Sequence, residues 1–249
     1  MAMNKYIVHT NYITTFTDFL LNIKNYFSVS SETIHKARNE LKIIHHNDLD
    51  TVVKSFKVPH LLNRIIYTFF RDSKAKKSYE HSLKIVPYTP NPIGYIEFYK
   101  TSLLSESYFV SEKFNYDFTI REPLLEANFK DRNEVFKAFA RFTLELHNAN
   151  IFHNDYSPGN ILIKKENDLY SFKIVDINRM KFFELDENTR AKSFSKLWAS
   201  DEILTIITTE YISYYPCSEN FIEQVLYYSK KNKKIKNFKK RLKGKPIND

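Results

Sequence analysis

Glycine is scarce in this chain, which has only three among its 249 residues: Gly94, Gly159 and Gly244. A residue without a side chain lets the backbone approach a phosphate group closely, so loops that cradle phosphate are usually rich in glycine. None of the three precedes position 94, which excludes a glycine-rich phosphate loop from the first third of the chain. If that part contacts a nucleotide, we expect residues 40–49 to do so through a hairpin with polar turn residues.

Cysteine and long apolar runs are also nearly absent. The single cysteine, Cys217, excludes a disulfide framework and suits a reducing compartment. The first residues show no charged segment followed by an apolar one, and no uninterrupted apolar run approaches the ~20 residues of a membrane span. With 43% hydrophobic and 16% aromatic residues, the chain can still bury a full core. We therefore expect a soluble, cytoplasmic protein of one large or two small domains.

The most informative block of the sequence is residues 153–160, which read His-Asn-Asp-Tyr-Ser-Pro-Gly-Asn. Before it, residues 134–150 carry apolar side chains at helical spacing. After it, two short β-rich runs, 161–163 and 172–175, predict a hairpin that leads directly to Asp176. Helix, polar loop, hairpin and aspartate in this order are typical of the catalytic half of a kinase-type phosphotransferase.

Each polar residue of this pattern has a chemical role in phosphate transfer to an alcohol group. Asp155 is placed to accept the proton of the attacking hydroxyl. Asn160 and Asp176 supply oxygen atoms to the Mg²⁺ ions that bridge the phosphates of ATP. We therefore predict Asp155 as the catalytic base, and Asn160 and Asp176 as metal ligands that also bind the nucleotide.

The N-terminal half contains candidates for the groups that position the phosphates. Residues 50–57 form a β-rich run in which Lys54 follows two valines, as in the kinase strand that carries the phosphate-binding lysine. Lys57 is the alternative on the same run. The segment 73–83 predicts a helix, and Glu80 on it is placed to pair with Lys54. An ordinary surface glutamate on a solvated helix is the competing interpretation of Glu80.

Two further runs, 95–99 and 108–114, predict adjacent strands. The second leads into the connection between the two predicted lobes. In a kinase, backbone groups of this connection bind the edge of adenine. We therefore predict that the backbone of Glu112, Lys113 and Phe114 contacts the nucleotide base.

Together these elements predict an α+β protein with a two-lobed, protein-kinase-like fold. Residues 1–115 would form an N-terminal segment and a small β-rich N-lobe, with 4–35 as a leading segment. Residues 116–249 would form a mainly helical C-lobe that ends in a basic helix.

Positive charge is concentrated in the tail. Residues 230–245 contain ten Lys or Arg and no acid, and removing them from a net charge of +9 leaves −1. Ile235, Phe238 and Leu242 recur there at helical spacing, and such a helix can lie on an anionic membrane. A terminal helix whose apolar stripe packs on the C-lobe fits the pattern equally well. Nucleic acid is not an expected partner, because stacking would need more aromatic residues among the charges.

Four segments resemble one known family, the lipopolysaccharide core kinases, which phosphorylate Kdo or heptose in the inner core of lipopolysaccharide. The segments are residues 53–57 (Val-Lys-Ser-Phe-Lys), 70–75 (Phe-Arg-Asp-Ser-Lys-Ala), 153–160 and 176–180 (Asp-Ile-Asn-Arg-Met). The resemblance covers roughly residues 40 to 200, and its most specific element is Asp-Ile-Asn-Arg in place of the Asp-Phe-Gly of protein kinases.

The resemblance implies a kinase-like fold, the use of ATP and Mg²⁺, and a lipid-anchored saccharide as acceptor. It implies a location at the cytosolic face of the inner membrane, where residues 230–245 would contact anionic lipid. Carried over by position, Asp155 is the base, Asn160 and Asp176 bind the metal, and Lys54 with Glu80 positions the phosphates.

Two alternatives stay open at this point. A kinase that acts on a soluble small molecule or on a protein would share every catalytic residue and differ only in the acceptor groove. A pseudokinase that serves as a binding scaffold would explain the missing glycine-rich loop. The retention of all four polar catalytic groups favours an active enzyme.

Overall fold

The computed structural model of the protein describes residues 4–36, 39–56, 60–244 and 246. The chain divides into two compact units, Met1–Asn115 with Asp176–Asn178 and Tyr116–Val175 with Arg179–Asp249. Lys57, the alternative phosphate-binding lysine, lies outside the described residues.

The first unit is rich in β-structure. Its described strands are β1 (Asn4–Val8), β2 (Thr33–Lys36), β3 (Asn39–His46), β4 (Leu49–Phe56), β5 (Pro92–Lys100) and β6 (Leu103–Glu112). Its described helices are α1 (Ile13–Leu21), α2 (Ile23–Val29), α3 (Leu61–Phe69) and α4 (Lys74–Lys84). The strands form one antiparallel sheet in the order β1-β5-β6-β4-β3-β2.

The core of this unit lies between the sheet and the first two helices. Val53, Ile96 and Val110 of the sheet are fully buried, and they belong to one apolar cluster with Phe19 of α1. Strand β1 pairs with β5 along its whole length. Residues 4–35 are therefore an integral part of this unit rather than a segment that merely leads into it.

The hairpin predicted around residues 40–49 is formed by β3 and β4. Its two turn residues, Asn47 and Asp48, adopt positive φ angles of 48° and 60°. A two-residue hairpin turn of this hand requires such angles, and asparagine and aspartate tolerate them better than other side chains do. The polar turn thus replaces glycine here.

The second unit is mainly helical. Its described helices are α5 (Arg121–Leu125), α6 (Arg132–Asn148), α7 (Glu187–Ser193), α8 (Asp201–Ile212) and α9 (Phe221–Arg241). Its described strands are β7 (Phe118–Thr119), β8 (Ile151–Phe152), β9 (Ile161–Glu166), β10 (Leu169–Ile174) and β11 (Lys181–Phe182). They form two small antiparallel sheets, β10-β9-β7 and β11-β8.

Helix α6 forms because its apolar residues recur every three or four positions and face one core. Val135, Phe136, Phe139 and Ala140 are all fully buried. The helix ends at Asn148, just before the block that carries the predicted catalytic residues.

The predicted fold class is confirmed: the protein is α+β, with a β-rich N-terminal sheet and a helical C-terminal part. No helix within the described part of the chain has both the length and the apolar character to cross a membrane.

Candidate active site

His153 organises the start of the predicted catalytic loop. Its Nδ1 accepts a hydrogen bond from the backbone N–H of Asp155 at 3.1 Å. Because Nδ1 is the acceptor, Nε2 carries the proton in the neutral ring and donates it to the Val175 carbonyl at 2.9 Å. One imidazole thus links the loop to the end of strand β10, immediately before Asp176.

Asn160 closes the same loop from its other end. Its side-chain NH₂ group donates to the backbone carbonyl of Asp155 at 2.9 Å, and the Ser157 N–H reaches that carbonyl at 2.7 Å. The backbone carbonyl of Asn160 in turn accepts from the Val175 N–H at 2.9 Å. Because the amide nitrogen is used in the loop, the side-chain carbonyl oxygen of Asn160 is the atom that can act as a metal ligand.

Tyr156 anchors the loop in the core. Its side chain is almost fully buried and packs in a stacked arrangement on Phe139 of α6. The Tyr156 hydroxyl and the Thr143 hydroxyl form a hydrogen bond of 2.9 Å. Burial raises the pKa of the Tyr156 hydroxyl, so it stays neutral. Asp155 is therefore adjacent to a rigid support.

Lys54 and Asp176, predicted from opposite halves of the chain, form an ion pair. Lys54 Nζ lies 2.6 Å from Asp176 Oδ1, and the lysine is 9% exposed. The same oxygen accepts from Asn178 Nδ2 at 2.8 Å. Asp176 has a positive φ of 58°, a conformation that costs energy for a residue other than glycine. Such strain, held by two charge-assisted contacts, is typical of a functional turn.

The predicted pairing of Lys54 with Glu80 is wrong for this structure, since the carboxylate beside Lys54 is that of Asp176. Glu80 lies 3.7 Å from Lys76, one helical turn earlier, and its side chain is 45% exposed. Helix α4 instead turns His81 towards the Asp176 segment, where His81 Nδ1 lies 2.7 Å from the Ile177 carbonyl.

The segment predicted to bind adenine continues the sheet hydrogen bonds. The backbone N–H of Glu112 donates to the Asn91 carbonyl and that of Lys113 to the Asp50 carbonyl, both at 2.9 Å. Those two donors are already used, so a nucleotide base would have to contact other backbone groups of the segment, including those of Phe114. The role of this segment in nucleotide binding stays a prediction.

Asp176 and Asn160 each carry a side-chain atom of the kind that a Mg²⁺ ion prefers. Asp176 carries a carboxylate and Asn160 an amide oxygen, and hard cations prefer oxygen ligands. Among the described residues, no group of three His, Cys, Asp or Glu side chains is arranged to hold a metal ion. Phosphate oxygens and water would therefore have to complete the shell, as is usual for Mg²⁺ at phosphate-transfer sites.

Basic residues outside the predicted catalytic set lie close to the loop within the second unit. A side chain at Gly159 would approach Arg121 Nη2 to 2.6 Å, so the guanidinium group of Arg121 lies directly against this part of the loop and would have to shift to make room. On helix α9, burial and the nearby Lys196 and Lys240 lower the pKa of Lys236, while the Asp155 carboxylate acts in the opposite direction. Lys236 and Lys240 belong to the basic segment 230–245, but no local motif places that segment near the catalytic loop, because folding brings these distant parts of the chain together.

No family model matches the chain. Among solved structures, the chain is similar to the one described as WaaP in complex with acyl carrier protein, with a TM-score of 0.60 and 11% identity. The similarity covers 93% of this chain and 99% of that one. At this identity the likeness shows a shared fold.

Proposed function

We propose that this protein is an ATP-dependent kinase that phosphorylates a hydroxyl group of Kdo or heptose in the inner core of lipopolysaccharide. One observation carries the proposal. In a fold shared with WaaP, the Lys54–Asp176 ion pair forms across 122 positions of sequence, and an ordered loop presents Asp155 and Asn160. A scaffold protein would not need to keep all of these groups in place.

Each residue has a defined task in this reaction. Lys54 neutralises negative charge on the nucleotide phosphates, and Asp176 and Asn160 hold Mg²⁺. A Mg²⁺ ion held there would offset the charge that develops on the transferred phosphoryl group. Asp155 orients the acceptor hydroxyl and takes its proton. His153 and Tyr156 keep Asp155 in position, the first through its backbone N–H and the second through core packing.

The proposal includes peripheral binding to the inner face of the inner membrane through helix α9. Its apolar stripe, Ile235, Phe238 and Leu242, is 46%, 61% and 72% exposed. These exposures argue against the alternative in which the stripe packs on the C-terminal unit. An exposed apolar stripe among lysines is the pattern of a helix that binds an anionic bilayer surface.

Helix α3 of the first unit adds a second exposed apolar surface. Leu61, Leu62, Phe69 and Phe70 are 62%, 77%, 66% and 78% exposed. Apolar patches of this kind mark sites of contact with proteins or membranes. These exposed residues are consistent with the proposal that the protein works at a membrane surface.

Two measurements, made one after the other, test this function. Calorimetric titration with ATP, with and without Mg²⁺, separates an enzyme from a scaffold, because a scaffold without catalytic function need not bind Mg²⁺ and ATP together. An acceptor panel then compares lipid-anchored inner-core saccharide, soluble sugars and a protein substrate, with labelled ATP as donor. We expect transfer to the lipid-anchored saccharide above all others. Preferential transfer to a soluble sugar or a protein would show that this substrate, and not the lipid-anchored saccharide, is the acceptor.

A further inference from the structure

Two open cavities in the second unit share one residue, Trp198. The first, of about 460 Å³, borders Pro158 of the catalytic loop and is also lined by Arg121 and Arg132. The second, of about 610 Å³, is lined by Trp198 and by six residues of helix α9. These six are Lys230, Lys233, Lys234, Asn237, Phe238 and Arg241. Because Trp198 borders both cavities, they are described together as the Trp198 groove.

Helix α9 is fastened to the unit along this groove. Asn232 Nδ2 donates to the Ser195 carbonyl at 2.6 Å, and Lys233 Nζ to the Ala199 carbonyl at 2.8 Å. Lys230 Nζ pairs with Asp201 at 2.7 Å. The basic part of α9 is therefore held against the second unit and forms one wall of the groove.

Positive charge in the groove exceeds what the described protein groups neutralise. Four of the seven residues around the second cavity are lysine or arginine and none is acidic. The first cavity adds Arg121 and Arg132, again with no acidic residue among those that line it. Like charges at close range repel one another, and an anion that enters the groove would relieve that repulsion.

Trp198 is held in a conformation that bulky residues rarely adopt. Its φ is 60°, which is unfavourable for a residue with a large side chain. Both neighbours, Leu197 and Ala199, are buried, whereas Trp198 itself is only partly buried. Lys236 and Lys240 place their amino groups 5.0 Å and 5.8 Å from its ring. These ammonium groups lie over the indole ring, and the part of the ring that they leave open is a flat apolar surface beside positive charge.

We propose that the Trp198 groove binds the acidic part of the acceptor, a saccharide that carries phosphate or carboxylate groups, with the sugar ring on Trp198 and the anions on the lysines and arginines. This inference rests on the proposed function and adds the acceptor site to it. The groove borders Pro158 of the loop that carries Asp155, so a sugar bound in it would lie beside that loop. Arginine and lysine supply the donors that phosphate and carboxylate require.

The same charges would also attract an anionic lipid surface, and Phe238 belongs both to the exposed stripe and to the groove. Lys234 and Arg241 line the groove. Lys231 and Lys239 lie on the same helix, are exposed, and are not among the residues that line the groove. The double variants Lys234→Glu with Arg241→Glu and Lys231→Glu with Lys239→Glu therefore change the charge equally and differ only in position.

Trp198 makes binding directly observable because it is the only tryptophan in the chain. The probe is a deacylated inner-core oligosaccharide, which is water-soluble and keeps its phosphate and carboxylate groups. Its titration should change the fluorescence of Trp198 in the full-length protein. We expect the groove double variant to bind about tenfold more weakly or worse, and the control double variant to bind within about twofold of wild type. Melting temperatures of both variants check that they are folded.

Three results would overturn the inference. They are no fluorescence response to the oligosaccharide, equal weakening in both double variants, or an undiminished response to a dephosphorylated, carboxyl-reduced oligosaccharide. A response only to vesicles of anionic lipid would assign the groove to the membrane instead.

Kinetic measurements separate this inference from the kinase proposal. If the groove binds the acceptor, the groove double variant should raise KM for the oligosaccharide and leave KM for ATP unchanged. Phosphate transfer at wild-type KM in that variant would contradict the groove and support the kinase reaction. Specific binding of the oligosaccharide without any phosphate transfer would support the groove and contradict the kinase reaction.

Discussion

Asp155 and Asp176 have different surroundings, and each environment suits a different role in the proposed reaction. The backbone of Asp155 is held by His153 and Asn160, which leaves its side chain to act on an acceptor. The side chain of Asp176 is instead bound to Lys54 and Asn178. The first environment suits a group that handles a proton, and the second suits a group that anchors cations.

We expect Asp155→Asn to abolish turnover while nucleotide affinity stays close to that of wild type. The substitution keeps the size of the side chain and removes its capacity to take a proton, which typically costs about 10²–10⁴-fold in rate. Initial rates of phosphate transfer, together with calorimetric titration of MgATP, test this. A variant that transfers phosphate at nearly the wild-type rate would show that the loop has been assigned incorrectly.

Asp176→Ala should lose Mg²⁺-dependent ATP binding, and Asn160→Ala should weaken it less. As a ligand, Asp176 would supply a full negative charge to the ion, whereas Asn160 would supply a neutral carbonyl. The control is ATP binding without Mg²⁺, which should change far less in either variant. Equal MgATP affinity in wild type and Asp176→Ala would exclude the metal role.

At the scale of secondary-structure elements, helix α9 has two functional sides. One side packs on the unit through Phe221, Val225 and Ser229, which are buried. The basic part beyond it lines the Trp198 groove and also exposes the stripe of Ile235 and Leu242. An exposed stripe contributes little to folding, so its effect on membrane binding can be measured separately.

The double variant Ile235→Ser with Leu242→Ser should weaken association with anionic vesicles and leave the melting temperature nearly unchanged. Surface substitutions of this kind usually alter stability by no more than about 0.5 kcal/mol. Co-sedimentation with vesicles at low and high salt measures the effect, since screening should weaken the electrostatic part of binding. Unchanged vesicle binding, or a large fall in melting temperature, would exclude the stripe as a membrane contact.

Local sequence patterns predicted some of these elements and not others. The loop at 153–160 was recognisable because its polar residues are contiguous and follow a strongly periodic helix. The carboxylate that pairs with Lys54 could not be predicted in this way. The rotation of helix α4 about its axis, which decides where Glu80 points, depends on which side of the helix packs against the sheet. The basic wall of the Trp198 groove was visible in the sequence as the segment 230–245, but the groove itself was not, since Arg121, Trp198 and α9 are brought together only by folding.

At the scale of the whole molecule, a buried polar network in the second unit makes the free energy of unfolding depend on pH. His147 lies in the core with its Nδ1 2.9 Å from the Tyr211 hydroxyl, and Arg190 donates to that hydroxyl at 3.1 Å. Burial, assisted by the positive charge of Arg190, lowers the pKa of His147 from 6.5 to about 3. The folded protein therefore keeps this histidine neutral.

This network predicts a loss of stability in mild acid. Between pH 6.5 and 3 the unfolded chain binds a proton at His147 that the folded protein does not, so the free energy of unfolding falls as pH falls. The slope from this one group approaches about 1.4 kcal/mol per pH unit. Urea unfolding of wild type and His147→Gln from pH 7 to pH 5 should show a shallower dependence in the variant. Parallel curves would contradict a neutral, buried His147.

The acceptor assay with product analysis tests the central claim most directly. Wild type and Asp155→Asn are each incubated with MgATP and lipid-anchored inner-core saccharide, and the saccharide is analysed by mass spectrometry. The account predicts that wild type adds one phosphoryl group to a Kdo or heptose residue and that Asp155→Asn adds none. An unmodified saccharide after incubation with a wild-type protein that binds MgATP would contradict it.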